Sequence, residues 1–81
     1  MDNNTKYKQA FLVGLLIDES ALAGNLEYNA ITEWDSIGHM SLVAELEDKF
    51  DIMMEMDEII EMSSFEKGKE ILESKYNINF K

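Results

Sequence analysis

A carboxylate, a hydroxyl and an imidazole stand close together in the stretch Glu33-Trp34-Asp35-Ser36-Ile37-Gly38-His39-Met40. A serine with a histidine nearby first suggests a nucleophile and its base. Ser36 and His39 are three positions apart, a spacing that turns two helical side chains about 60° away from each other. The residues offer no third group to orient the base and no enclosed site, so hydrolysis is not expected. His39 is the single histidine, and alone it reads as a packed or exposed structural residue. Ser36 is left, directly before an amphipathic helical pattern. There a serine suits an N-cap, since its oxygen accepts from free first-turn N–H groups, and Asp35 suits that role equally. The same place suits a phosphate ester, because the positive end of a helix stabilises anionic oxygens. On the residues alone both readings stay open.

The other candidates for chemistry are weaker. Residues 18–29 have the length of an EF-hand loop, but Leu22 falls at a ligand position. Ala23 occupies the turn that calls for glycine, and Asn29 replaces the bidentate glutamate. No metal site is expected. Met53, Met54, Met56 and Met62 are flexible apolar side chains that suit either a core or an adaptable apolar cleft.

Composition narrows the classes. The 81 residues carry 17 Asp+Glu against 7 Lys+Arg, a net charge of −10. Between Asp18 and Met62 the only lysine or arginine is Lys49. Such a surface repels phosphate backbones, which excludes nucleic acid, and attracts basic partner surfaces. At 46% hydrophobic residues the chain is too apolar to stay unfolded. Its longest apolar run, residues 11–17, is far shorter than a membrane span, and no secretory leader pattern opens it. The lack of cysteine fits a reducing cytoplasm, where the Asn3-Asn4-Thr5 glycosylation signal would be inert.

Periodicity predicts one all-α domain over residues 1–81, a bundle of three main helices and one short one. The first helix spans about residues 4–17, capped by Asn4 or Thr5, with Tyr7, Phe11, Leu12, Leu15 and Leu16 as its apolar stripe. A long loop over 18–35 follows, pinned by Leu22, Leu26, Tyr28, Ile31 and Trp34 and allowing one helical turn. The second helix runs about 36–50 with Leu42, Val43, Leu46 and Phe50 inward. A short helix spans about 57–62, with Asp57 as cap and Ile59, Ile60 and Met62 inward. The last, about 64–76, opens on a Ser63-Ser64-Phe65-Glu66 capping box and buries Phe65, Ile71, Leu72 and Tyr76. Gly68 permits close helix approach, and residues 77–81 are expected to fray.

In this order and register the residues resemble the acyl carrier protein family, with its peptidyl and D-alanyl relatives. The resemblance rests on Asp35-Ser36-Ile37 followed by Leu42-Val43, Leu46-Glu47 and Phe50, then the short-helix segment and the final helix. It is strongest from Ile31 to Leu72. It implies 4′-phosphopantetheine, taken from coenzyme A by a phosphopantetheinyl transferase and esterified to Ser36, with Asp35 helping to hold the transferase's Mg²⁺. It implies a carrier, not an enzyme, whose arm presents acyl or aminoacyl thioesters. Ile37, Met40, Ala44, Glu45, Glu47 and Asp48 become the expected contacts for partners with basic docking surfaces, namely an acyl- or aminoacyl-loading ligase and acyl-processing enzymes. Glu33 and Trp34 stand where fatty-acid carriers tend to have glycine, and Gly38 and Ser41 where they tend to have acids. That pattern resembles carriers of specialised pathways such as surface-polysaccharide or secondary-metabolite synthesis. A monomer is expected. The alternative reading is a small acidic helical adaptor that binds a basic partner with no prosthetic group.

Overall fold

Asp2, rather than Asn4 or Thr5, starts the first helix: its carboxylate accepts the Thr5 N–H at 2.8 Å in the computed structural model, which describes residues 2–22 and 24–80. Ala23 and Lys81, assigned above to the loop and the tail, lie outside the described residues. The helix, α1, covers Asn3–Leu15 and stops two residues short of the expected end, because Leu16 turns into the left-handed region. Leu16 consequently points to solvent instead of the core. α1 buries Tyr7, Ala10, Phe11, Gly14 and Leu15, spaced at three and four residues.

The remaining helices are α2 over Ser36–Phe50, α3 over Met56–Glu61 and α4 over Phe65–Tyr76, with a single 3₁₀ turn at Glu19–Leu22 inside the loop. No strand forms among the described residues, and the fold is an all-α bundle. α1 and α2 form its main helix pair. They approach closely at Gly14, where an added Cβ would lie 2.7 Å from the Leu42 Cα. Leu42, Val43 and Leu46 fill the space between them. Gly68 lets α4 pass the Tyr7 hydroxyl and Met62 in the same way, which frees that hydroxyl to donate to the Phe65 carbonyl at 2.6 Å.

Three expectations for the second half of the chain are corrected. The cap of α3 is Glu55, not Asp57: the Glu58 carboxylate reaches back to the Glu55 N–H at 2.9 Å. Ile60 is 72% exposed, because a helix this short turns only one face inward and Ile59 and Met62 occupy it. The cap of α4 is Ser64, accepting from the Lys67 N–H at 3.0 Å, one residue later than a Ser63–Glu66 box requires. The Glu66 N–H is taken instead by Asn25 Oδ1 from the loop, at 3.0 Å.

The tail does not fray. Asn77 adopts the left-handed conformation, Ile78 N–H donates to the Leu72 carbonyl at 3.2 Å, and Phe80 enters the core at 8% exposure. The Asn77 and Ile78 N–H groups both go to the Leu72 carbonyl, which closes the end of α4. Asn3 and Asn4 bind the Asn79 and Phe80 carbonyls, which ties the tail to the start of α1.

α3 is fastened to α4 through Tyr76, whose hydroxyl bonds the Glu58 carboxylate and lies 2.9 Å from the Met53 carbonyl. The Tyr76 hydroxyl, helped by the Glu55 N–H, holds the Glu58 carboxyl below its ordinary 4.5. Burial, then the Glu58 charge, pushes Tyr76 up to about 12. A depressed carboxyl pKa stabilises the fold above the unfolded value and loses that contribution as pH falls through the folded one. A raised phenol pKa contributes below 10.0 and is lost as pH rises towards about 12. The stability difference between the wild type and Tyr76→Phe is therefore expected to be flat between those limits and to shrink at both ends. Thermal melts across pH check this, and a difference that persists unchanged in acid would refute the assignment.

Candidate functional site

The loop brings its residues to the start of α2 by pairing with the α3–α4 junction. Tyr28 N–H donates to the Ser63 carbonyl at 2.9 Å, and Phe65 N–H to the Leu26 carbonyl at 2.7 Å. Trp34 is fully buried, its ring edge-on to Phe11 at 5.3 Å. Behind it the chain folds back so tightly that a side chain at Gly38 would strike the Glu33 carbonyl oxygen. Glycine is needed there for backbone approach, and the consequence is a fixed entry into α2.

At that entry the two cap candidates separate. Asp35 is the N-cap, with its carboxylate accepting the Gly38 N–H at 2.8 Å and its carbonyl the His39 N–H at 2.8 Å. Ser36 is the first helical residue and is exposed. Its hydroxyl has no capping duty and stands at the positive end of a 15-residue helix. An anion attached there would meet favourable dipoles and water rather than a packed wall.

Beside Ser36 opens a cleft of about 370 Å³ between the loop, α2 and α3. Tyr28, His39 and Met40 line it on one side and Met56, Ile59 and Ile60 on the other, with the buried Met62 and the exposed Ser63 between the helices. Of the four methionines singled out from the sequence, Met56 and Met62 line this space. Met54 is in the core, and Met53 projects into solvent at 83% exposure. Tyr28, Ile59 and Ser63 were not foreseen there. Their signal lies in the pairing of distant segments, which no local spacing reveals.

The expected partner-facing residues do not behave alike. Ile37 is 80% exposed, and Met40, Ala44 and Asp48 are exposed with it along α2. Glu45 is half-buried and lies 3.8 Å from Lys49. The half-buried Glu47 carboxylate accepts the Met54 N–H at 2.9 Å and so anchors the connection after α2. Glu47 is committed to the fold, which leaves Asp48 as the exposed acid of that set.

His39 is a structural hub rather than a base. Its Nδ1 accepts the Trp34 indole N–H at 2.9 Å, and its Nε2 lies 2.8 Å from the Ile59 carbonyl. The ring lies edge to edge with Trp34 through that bond, centroids 6.1 Å apart and planes 19° from parallel, and meets the Tyr28 ring at 5.4 Å. With both nitrogens engaged, it is not placed to take a proton from Ser36. No metal-holding cluster of three or more acids, histidines or cysteines occurs among the described residues, and no helix among them is long and apolar enough to cross a membrane. Comparison of the chain with family models, with curated proteins and with solved structures gives no match.

Proposed function

We propose that this chain is a carrier protein that bears 4′-phosphopantetheine on Ser36 and delivers acyl or aminoacyl intermediates to partner enzymes. The observation that supports this reading above the others is the division of labour at the start of α2. Asp35 takes the cap, and Ser36 is left as an exposed hydroxyl at the positive helix end. In the attachment step the Ser36 oxygen attacks the pantetheine-bearing phosphorus of coenzyme A. The pyrophosphate bond breaks, adenosine 3′,5′-bisphosphate leaves, and the hydroxyl proton passes to a base of the transferase. The bound arm would supply a thiol for thioester chemistry, which a chain without cysteine lacks. Asp35 is exposed beside the attachment point and suits a contact to the transferase's Mg²⁺. Ile37, Met40, Ala44 and Asp48 offer an apolar face with an acid at its end to a basic docking surface.

The test is incubation of the bare chain with coenzyme A and a broad-specificity phosphopantetheinyl transferase. The expected result is a mass gain of one phosphopantetheine that maps to Ser36 and is absent from Ser36→Ala. A chain that stays bare beside an active control carrier overturns the reading. In that case the adaptor takes its place, and Ser36→Ala would leave capture of its basic partner unchanged.

A further inference from the structure

We propose that His39 is a proton-sensitive latch that ties the loop to α3 beside Ser36 and so sets how far the cleft opens. An indole N–H only donates, so the 2.9 Å contact requires His39 Nδ1 to accept. A carbonyl only accepts, so the 2.8 Å contact to Ile59 requires Nε2–H to donate. A neutral imidazole has one donor and one acceptor, and both are spent here, the acceptor on Trp34 of the loop and the donor on Ile59 of α3. The tautomer is thereby fixed as Nε2–H. α3 has only six residues and cannot hold itself in place. Tyr76 fastens it on the α4 side, and the Ile59 carbonyl fastens it to α2 through this ring.

Protonation breaks the arrangement. Both ring nitrogens then donate, and an Nδ1–H faces the indole N–H with no acceptor between them. Trp34 has 0% exposure, so water cannot replace the lost partner. The ring has to turn away, and the link between loop and α3 is lost. The charged and titratable groups around it do not mask the event. From the loop, the Tyr28 ring meets the imidazole edge-on. On α2 itself, the Asp35 carboxylate is engaged with the Gly38 N–H. From α3, the Glu58 carboxylate is engaged with Tyr76 and the Glu55 N–H. What the opened cleft would hold rests on the carrier reading. The latch does not, and it is tested on the bare chain, so its failure and a failure of Ser36 loading are separate results.

The experiment follows Nile red, a neutral apolar dye, and Trp34 emission between about pH 8 and 5. Dye affinity of the wild type is expected to rise about tenfold on acidification, the scale of one lost hydrogen bond. His39→Gln retains an acceptor and a donor but does not titrate, so it should stay at the low, closed affinity throughout. His39→Phe keeps a ring without either bond and should bind at the high affinity at every pH. Imidazole nitrogen resonances of the wild type at high pH should report the Nε2–H tautomer, a readout independent of any variant. A flat wild-type response, a rise that survives in His39→Gln, or an Nδ1–H tautomer would each overturn the latch.

Discussion

Trp34→Ala is expected to remove about half of the fold's stability and to pull its urea midpoint down in proportion. A buried aromatic replaced by alanine costs about 3–5 kcal/mol, and a domain of this size has roughly 5–10 kcal/mol in total. The cost falls at the upper end for three reasons. Trp34 is fully buried and the largest side chain of the core. It joins three elements, packing on Phe11 of α1 and on His39 of α2 from its own place in the loop. Its removal also deprives His39 Nδ1 of its donor. Urea titration followed by far-UV circular dichroism measures the loss, and Trp34→Phe separates packing from hydrogen bonding. The phenylalanine variant should lose about 1–2 kcal/mol, since it keeps ring contacts but not the N–H. A Trp34→Ala variant as stable as the wild type would mean the loop is not anchored here, and the fixed entry into α2 would lose its cause.

The bundle was readable in the sequence where one periodicity decides. The stripes of α1, α2 and α4 recur at three and four residues over three or more turns, so one face of each helix is unambiguous. The loop anchors Leu26 and Trp34 were readable for a different reason, being large apolar residues with no helical register to serve. Short elements were not readable. At the end of α3 the apolar Ile59, Ile60 and the following Met62 fit within a single turn, and only tertiary contact excludes Ile60 from the core. The serine-to-glutamate spacing before α4 points to Ser63 as the cap, but Ser64 takes that role and Asn25 claims the Glu66 N–H from 41 positions away. At the site, the sequence brought Ser36 and Asp35 together but not their division of roles. The cleft wall from Tyr28 and the His39 bonds to Trp34 and Ile59 depend on pairings that spacing does not encode. Glu47 was misplaced for the same reason, because its partner is a backbone N–H beyond the end of its helix.

The tail makes the sharpest contrast, and Phe80→Ala measures it. A frayed terminus would tolerate the change within about half a kcal/mol, as exposed positions do. The packed tail predicts a loss of about 3 kcal/mol, near the lower bound for a core phenylalanine because a chain end relaxes more easily than a helix. For a domain of this length that lowers the melting midpoint by on the order of 15 °C. The contacts behind this number come from three helices: Tyr7 of α1 at 5.4 Å, Phe50 of α2 at 6.1 Å, and the Lys69 ammonium of α4 at 5.5 Å from the ring centroid. A cation over an aromatic face adds to the apolar burial, so Lys69→Met should cost part of what Phe80→Ala costs. The two changes should also be less than additive, because they share the contact between that ammonium and the Phe80 ring. Phe80 lies at the opposite end of α2 from Ser36, so the proposed loading of Ser36 should be unaffected wherever the variant stays folded. A variant that melts like the wild type would return residues 77–80 to solvent and remove the clamp that closes the bundle around Tyr7.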